Sequence, residues 1–495
     1  MLFNFRDYFA VLITFISATI SQAVDWDQLK QEIRKFRTDF QVPGCAVVVV
    51  DRQQTKFQFF DGKRDSTSSV DSQTLFPLAS CSKGFTSALL ASFVEQGKCD
   101  WNDPVVKHYP KFTLSDPITT KLVTIRDLLS HRTGVGSYDL LWYYENCAHD
   151  ELFKRMSRLP MHSSDFRSRM QYQSTMYTLA GEIAGACDQT TWAESLQTHL
   201  LQPLGMKNTY TLPPTRENYS KRAVGHYLRN DKLETATDYP FSQPDAAGSI
   251  HSTIEDAAKW LRFHLNFGKH QQQQIVASKE LKETHSPQIT IPVNDDVTVL
   301  APETNLMSYA MGWVTQDYRG HQLVSHAGVI DGFRIHWTFL PKDGLGFAIF
   351  ANLHETRMNL ALAYHLVDRL LDLPPRAWGK HFLEYEQKIA DEQAIKQLRM
   401  KKFRRQDVRP TLELAAYCGS YHHPSLGVFT IEVAQQHLIM RRNSLKIPLQ
   451  HHGGDIFQVQ ESQVRTLSHE LLLFVVEKNK CQSFRIAGWQ FDKKK

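Results

Sequence analysis

A serine and a lysine stand three residues apart in residues 76–86, which read FPLASCSKGFT. If a helix begins at this point, Ser80 and Lys83 share one face of it. A serine hydroxyl is a weak nucleophile until a base takes its proton, and an amine that has lost its own proton can be that base. The N–H groups at a helix N-terminus also favour negative charge developing at Ser80. The pair therefore indicates nucleophilic catalysis, although S-x-x-K by itself is also found at the start of ordinary surface helices.

The surroundings of this pair resemble the serine β-lactamase and penicillin-binding-protein superfamily, and more narrowly its class C, D-alanyl-D-alanine carboxypeptidase-like branch. The similar stretches follow one another in chain order over most of residues 26–375. They are residues 89–98 (LLASFVEQGK), 101–105 (WNDPV), 124–134 (TIRDLLSHRTG), 202–206 (QPLGM) and 247–253 (AGSIHST). The resemblance implies a serine hydrolase that forms an acyl-enzyme on Ser80, with Lys83 as its partner.

The second catalytic motif of that superfamily is Tyr-x-Asn, and the matching residues are Tyr172-Gln173-Ser174. The resemblance implies that Tyr172 is a general base or proton shuttle whose phenolate is favoured by nearby positive charge. The alternative is a core tyrosine. Ser174 replaces an amide that both donates and accepts with one shorter hydroxyl. Because a lost buried hydrogen bond costs about 1–3 kcal/mol, this change predicts weaker binding of a β-lactam side-chain amide.

The third motif is Lys-Thr-Gly in β-lactamases, and this chain has His326-Ala327-Gly328 followed by Val329. The resemblance implies a strand edge beside the pocket, where Gly328 lets substrate approach closely. The N–H groups of Val329 and Ser80 would then form an oxyanion hole. His326 is mostly neutral at pH 7 and holds a substrate carboxylate less firmly than Lys does. The change favours peptides or esters without that carboxylate, although a purely structural histidine is the alternative.

Other polar residues are weaker evidence for a catalytic function. His131 is expected to support the pocket through hydrogen bonds. Cys81 faces about 100° away from Ser80 on a helix, so we expect it to be buried. No His or Cys group has the spacing of a metal site, and neither a metal nor another cofactor is expected.

The elements that hold these residues lie at both ends of the catalytic region. Residues 26–40 have helical spacing, and residues 45–50 (CAVVVV) and 57–60 predict strands. Residues 336–340 and 345–351 predict another strand pair. Strands at both ends of a helical centre predict an α/β fold. Together with the resemblance, they predict an antiparallel sheet flanked by helices, with a large helical subdomain.

The pattern of charged and apolar residues changes after Pro374-Pro375. A charged, helix-compatible linker follows, and beyond it short β-like runs predict a small antiparallel β domain. This tail resembles a domain appended to many such hydrolases, which borders their active site and can mediate homo-oligomers. The predicted organisation is a signal peptide (1–23), a catalytic domain (24–375), a helical linker (376–409) and a C-terminal β-barrel-like domain (410–495).

The N-terminus has the pattern of a signal peptide. Arg6 precedes the apolar stretch of residues 8–20, and Ser21-Gln22-Ala23 supplies the small residues read by signal peptidase. The stretch is shorter than the roughly 20 residues of a membrane span, and an uncleaved anchor is the alternative. We therefore expect no stable membrane span and a secreted protein, extracellular or, in a bacterium, periplasmic, that starts near Val24.

The net charge bears on nucleic-acid binding, and the cysteine count bears on disulfide formation. A net charge of +5 over 495 residues, without basic patches interleaved with aromatics, does not indicate nucleic-acid binding. Seven cysteines leave at least one thiol unpaired within the chain, and their pairing cannot be read from the sequence.

Three functions are consistent with these observations. The first is an active hydrolase of small amide or ester substrates, peptides above all, using Ser80, Lys83 and Tyr172. The second is a non-catalytic binding or scaffold protein on the same fold. The third is a true β-lactamase, which His326 and Ser174 disfavour. Retention of the three catalytic side chains favours the first.

Overall fold

The computed structural model of the chain describes residues 24–229, 232–241, 245–405, 407–460 and 467–494. The predicted signal peptide therefore lies outside the described residues. Among the residues that are described, no helix is long and apolar enough to cross a membrane.

The region that the sequence predicts to be catalytic is organised around one antiparallel sheet of eight strands. In chain order these are β1 (Gly44–Asp51), β2 (Thr55–Gly62), β3 (Ile289–Thr290), β4 (Met307–Tyr309), β5 (Val314–Tyr318), β6 (His321–Ile330), β7 (Phe333–Leu340) and β8 (Leu345–Ala351). Their order across the sheet is β2-β1-β8-β7-β6-β5-β4-β3. Cys45 on β1 lies opposite Ala351 on β8, so strands from both ends of the region pair side by side, as the sequence predicts.

Helices cover both faces of this sheet because β1 is apolar on both sides. Val48 and its alternate neighbours pack into the larger core, whereas Val47 and its neighbours pack into a smaller one. The longer helices are α1 (Trp26–Asp39), α2 (Lys83–Glu95), α3 (Thr175–Asp188), α4 (Ile254–Leu265), α5 (Met358–Leu370) and α6 (Trp378–Lys402). Residues of α2, α3 and α4 belong to the larger core, and those of α1 and α5 to the smaller one.

Shorter helices and strand pairs fill the region between β2 and β3 and the joints beyond it. The short helices are Val105–His108, Pro117–Leu122, Ile125–Leu129, His149–Met156, Trp192–Leu196, Asp245–Gly248, Ser278–Thr284, Asp295–Leu300 and Leu414–Tyr417. The short strand pairs are Phe76–Pro77 with His251–Ser252, His226–Arg229 with Lys232–Thr235, and Lys269–His270 with Gln273–Gln274.

The C-terminal region is a closed barrel of eight antiparallel strands. The strands are β9 (Gly419–His423), β10 (Gly427–Ala434), β11 (His437–Arg442), β12 (Leu445–Gly453), β13 (Ile456–Val459), β14 (Leu471–Glu477), β15 (Lys480–Ile486) and β16 (Trp489–Lys493). Alternate residues of β12, such as Ile447 and Leu449, point into the barrel and are buried. The predicted fold, an α/β region with a large antiparallel sheet and an appended β domain, is confirmed.

Two buried histidines make the stability of the larger core depend on pH. His264 on α4 and His285 hydrogen-bond each other at 2.8 Å between Nδ1 and Nε2, and both rings pack on Trp313. Burial lowers the pKa of both imidazoles, that of His285 to about 3. In the unfolded chain each of the two histidines binds a proton below about pH 6.5. In the folded chain both stay neutral at pH 5, because burial lowers their pKa.

We therefore predict that His264 and His285 destabilise the fold on mild acidification. In the double variant H264L/H285M, the loss of unfolding free energy between pH 6.5 and 5 should be smaller than in the wild type by about 3 kcal/mol. Urea unfolding at the two pH values measures this difference. Equal pH dependence in both proteins would contradict the prediction.

Candidate active site

The candidate nucleophile lies on a tight turn that leads into α2. Ser80 is part of a short 3₁₀ helix, Ala79–Ser82, and Lys83 is the first residue of the α-helix. Ser80 therefore lies in the turn just before the α-helix, and its hydroxyl still meets the Lys83 amine. Ala79 has a φ of +47°, a left-handed conformation that a non-glycine residue adopts only at a cost. Ser80 is partly exposed, whereas Lys83 is fully buried.

The Lys83 amine is held by three oxygen atoms. Its Nζ lies 3.1 Å from Ser80 Oγ, 3.0 Å from the carbonyl oxygen of Ala247 and 3.5 Å from Ser174 Oγ. None of these three oxygens carries a formal charge, so among the described residues no counter-ion in direct contact compensates a buried ammonium group. Burial consequently lowers the pKa of Lys83 to about 7, against the opposing charge of Asp139. The amine next to Ser80 is therefore substantially neutral at neutral pH.

The second motif brings the side chains of Tyr172 and Ser174 to Ser80 and Lys83. The Tyr172 hydroxyl interacts with the Ser80 hydroxyl, and Lys83 Nζ lies 4.9 Å from the centroid of the Tyr172 ring. Burial raises the pKa of Tyr172 well above its usual range, so the phenolate suggested by the sequence is not favoured and Tyr172 is a phenol. Ser174 is buried with its hydroxyl directed at Lys83.

The third motif lies on an open edge of β6. Pairing between β5 and β6 ends at Val314 and Ser325, so no described strand covers the β5 side of β6 from His326 to Ile330. The nucleophile turn packs on the face of β6 at Gly328, so this glycine makes room for the turn. A Cβ atom on Gly328 would collide with the carbonyl oxygen of Leu78. Val329 beside it is 37% exposed, which leaves this part of the strand accessible.

Both nitrogens of His326 are occupied within the protein. Its Nδ1 lies 2.7 Å from the Ala327 carbonyl oxygen, and its Nε2 lies 3.0 Å from the Tyr309 hydroxyl. Because a carbonyl only accepts, Nδ1 carries the proton and Nε2 accepts from Tyr309. Burial, reinforced by the charge of Lys83, lowers the pKa of His326 to about 3. The imidazole is therefore neutral and has no N–H left for a substrate.

Two other residues singled out from the sequence support these groups. The buried His131 accepts at Nδ1 from the backbone N–H of Gln173 at 3.2 Å, and its carbonyl accepts from Gln171 N at 2.7 Å. It thereby holds the backbone on both sides of Tyr172. Cys81 is buried, and its thiol contacts the His326 carbonyl at 3.4 Å.

Sequence reasoning missed four contributors. They are Asp139, whose charge acts on Lys83 and Tyr172, the Ala247 carbonyl, Tyr309, and Asp331 just beyond β6. No sequence pattern marks these groups. Any residue type supplies a backbone carbonyl, and Asp and Tyr are common residues. Only the tertiary fold brings them to the site.

Comparison with known proteins places this geometry in a family. The Beta-lactamase family model matches residues 29–371, and a second model, the domain of unknown function DUF3471, matches residues 404–495. The chain belongs to the Beta-lactamase family.

The chain is also similar to several named proteins and to a solved structure. "Unguisins hydrolase ungD'" of Aspergillus campestris is 29% identical over 439 residues, which is 84% of this chain and 79% of that protein. "Protein flp" of Staphylococcus aureus strain MW2 is 25% identical over 321 residues, covering 63% of this chain and 60% of that protein. The octameric penicillin-binding protein homologue from Pyrococcus abyssi has the same fold, with a TM-score of 0.63, 19% identity and coverage of 95% of this chain and 100% of that one.

We predict that one lysine of this Beta-lactamase family member titrates near neutrality. In protein labelled with ¹³C at lysine Cε, the resonance that is missing from Lys83→Met should titrate near pH 7, because desolvation penalises the ammonium form. NMR spectra recorded from pH 5 to 11 would show it. The prediction fails if that resonance titrates above about pH 9, with the other lysines.

Proposed function

We propose that this chain is an active serine hydrolase that cleaves amide or ester bonds, peptides above all, through an acyl-enzyme on Ser80. The observation that carries the proposal is the fully buried Lys83 amine, 3.1 Å from Ser80 Oγ and with a pKa near 7. A base with a pKa close to the working pH is the most effective at removing a proton in a transition state.

The reaction uses the three side chains in turn. Ser80 Oγ attacks the substrate carbonyl carbon while its proton passes to the lone pair of neutral Lys83. The N–H groups of Ser80 and Val329 receive the oxyanion. The Tyr172 phenol then relays a proton to the leaving amine or alcohol, and the acyl group stays on Ser80. In the second half, water attacks the acyl carbon by the same proton route and releases the acid.

The surroundings favour substrates that lack a carboxylate next to the scissile bond. His326 is neutral, and both of its nitrogens are engaged, so it offers no cation and no free donor where Lys-Thr-Gly enzymes have a lysine. Ser174 offers Lys83 a hydroxyl in place of a longer amide. Neutral peptides and esters therefore fit this site better than β-lactams, whose ring carries a carboxylate.

Covalent labelling distinguishes this function from a non-catalytic scaffold. We expect a fluorophosphonate to add one adduct to the purified protein, seen as a shift in intact mass. The adduct should vanish in Ser80→Ala and persist in Ser69→Ala, which removes an exposed hydroxyl elsewhere. No adduct on folded wild-type protein would support the scaffold instead.

The pH dependence of labelling tests the role of Lys83. Since only the neutral amine accepts the proton, the rate should rise about tenfold per pH unit up to about pH 7 and then level off. Lys83→Met should slow labelling by at least about 100-fold. A rate that does not change between pH 5 and 8 would assign the base to another group.

Substrate class is tested by parallel assays. We expect turnover of a peptide or ester panel at higher kcat/KM than turnover of nitrocefin. A lasting penicillin adduct or a faster nitrocefin rate would favour the penicillin-binding or β-lactamase alternative.

Location and assembly are part of the proposal. We propose that the mature protein is secreted, because residues 8–20 and Ser21-Gln22-Ala23 have the pattern of a signal peptide that is cleaved near Val24. N-terminal sequencing of material recovered from the medium would test this. We also propose a homo-oligomer through the C-terminal barrel, since the Pyrococcus abyssi homologue is described as octameric. Light scattering on the purified protein measures this.

A further inference from the structure

The C-terminal barrel reaches into the catalytic region with two neighbouring side chains. Arg442, the last residue of β11, is only 2% exposed and donates to the Leu140 carbonyl and, at 2.7 Å, to Glu145 Oε2. Asn443 donates from Nδ2 to the Tyr144 carbonyl at 2.6 Å. All three acceptors belong to residues 138–145, called segment 138–145 below. The barrel therefore fixes the backbone of this segment at two carbonyls.

The charges at this contact are buried and paired. Arg442 lies over the Phe429 ring at 5.3 Å, and Glu145 also accepts from Arg155 at 2.6 Å. Removing Arg442 would leave Glu145 with Arg155 as a partner but without one of its buried charged hydrogen bonds, which is more costly than losing a surface ion pair. At the other end of the segment, Tyr138 packs edge-on against Trp489 of β16, with ring centroids 5.6 Å apart.

The same segment also contacts the strand of the third motif. Tyr143 and Tyr144 donate their hydroxyls to the two carboxylate oxygens of Asp331, the second at 2.7 Å. Asp331 is 3% exposed and directly follows Ile330, the last residue of β6. The position of the β6 end beside Ser80 therefore depends on where segment 138–145 is held.

Segment 138–145 also brings a charge to the base. Asp139 is the group whose negative charge most strongly opposes the desolvation of Lys83, and it acts on Tyr172 as well. It lies in a single 3₁₀ turn, Asp139–Leu141, whose Leu140 carbonyl is the one that Arg442 binds.

We propose that Arg442 of the C-terminal barrel is a positioning residue for catalysis, holding segment 138–145 so that Asp331 aligns the end of β6 and Asp139 keeps its place in its 3₁₀ turn. The barrel is then part of the catalytic unit, although Arg442 contacts neither Ser80 nor Lys83. This inference rests on the proposed function, since it concerns the rate at which Ser80 is acylated.

A matched pair of variants in the full-length chain tests the proposal. Arg442→Met removes the buried guanidinium and keeps a long side chain. Arg441→Met is the control, because Arg441 stands next to it on β11 and, among the residues that the structure describes, its ion-pair partner is Glu432 at the barrel surface. Fluorophosphonate acylation of Ser80 should slow at least about tenfold in R442M and stay within about twofold of wild type in R441M.

The pH profile separates positioning from a general loss of structure. If Asp139 moves away from Lys83, the pKa of Lys83 falls further, and the acid limb of the acylation rate shifts to lower pH. Asp139→Asn should cause the same shift with Arg442 intact. A folded R442M protein with wild-type rate and acid limb would overturn the proposal. Wild-type protein that is not labelled would instead overturn the proposed function.

Two further variants keep the test decisive if R442M does not fold. Asn443→Ala removes the hydrogen bond to the Tyr144 carbonyl, and Tyr144→Phe removes one donor to Asp331 without changing the ring. Each should slow acylation several-fold while circular dichroism and the melting temperature stay close to wild type. Wild-type acylation rates in both would overturn the proposal.

A second, independent inference concerns the far ends of the two helices that meet at the active site. Cys99 follows α2, and Cys187 lies in the last turn of α3. Cys187 Sγ lies 4.0 Å from the carbonyl oxygen of Lys98, the residue directly before Cys99, and a hydrogen bond from Cys99 to Cys187 shifts the pKa of each thiol. The residues beside them are also in contact, since Lys98 Nζ binds Asp188 Oδ1 at 2.7 Å. The hydrogen bond from Cys99 lowers the pKa of Cys187 and so favours its reactive thiolate.

The geometry points to a disulfide between Cys99 and Cys187. Oxidised glutathione is the co-reactant: the Cys187 thiolate attacks one of its sulfurs and releases one glutathione, and the Cys99 thiolate then displaces the second. The two protein thiols lose two protons and two electrons, and one glutathione disulfide becomes two thiols.

Alkylation in denaturant measures the bond. After equilibration in a glutathione buffer that favours oxidation, five of the seven cysteines should react with iodoacetamide, and digestion should yield one peptide pair joined through Cys99 and Cys187. Cys187→Ser should abolish that pair. Alkylation of all seven cysteines, or a linkage between other cysteines, would overturn the inference.

Discussion

The active site depends on the removal of one amine from water. Lys83 is fully buried, and the oxygens within hydrogen-bonding distance of its Nζ belong to Ser80, Ser174 and the Ala247 backbone. In water a lysine is protonated at neutral pH and cannot accept a proton. Here the cost of burying the charge brings its pKa to about 7. The core around α2 is therefore not only a scaffold, because its low polarity is what makes the amine a base.

The other groups of the site are arranged to be neutral. Tyr172 is a phenol, and His326 is a neutral imidazole with both nitrogens engaged. A nearby carboxylate in direct contact with Lys83 would restore its positive charge and remove its function, and the negative charge of Asp139 reaches it without a hydrogen bond or ion pair among the described contacts. The site thus combines a desolvated amine with neutral hydrogen-bonding partners, and this is the basis for proposing uncharged substrates.

The sequence predicts the local parts of this arrangement well. The β-branched run at residues 45–50 and the strands near residue 350 have unambiguous patterns, and both belong to the sheet. Ser80 and Lys83 meet because their spacing is local. The phenolate form of Tyr172 was not correctly predicted, because the sequence does not reveal burial. The contacts of Arg442 and Asp331 join residues about 200–300 positions apart in the chain, and no periodicity reports on such distances.

The pairing of Cys45 with Ala351 has a consequence for the newly made chain. The edge of β1 that faces β8 is covered only after β8 has been synthesised. Bringing the two strands together closes a long loop, and the loss of chain entropy precedes the stabilising contact. During synthesis, β1 can pair with β2, but its other edge stays unpaired until most of the chain has emerged. The nucleophile turn, which packs on β6, is assembled at the same late stage. The chain is thus expected to fold slowly, to need protection from aggregation while incomplete, and to become reactive only once it is nearly whole.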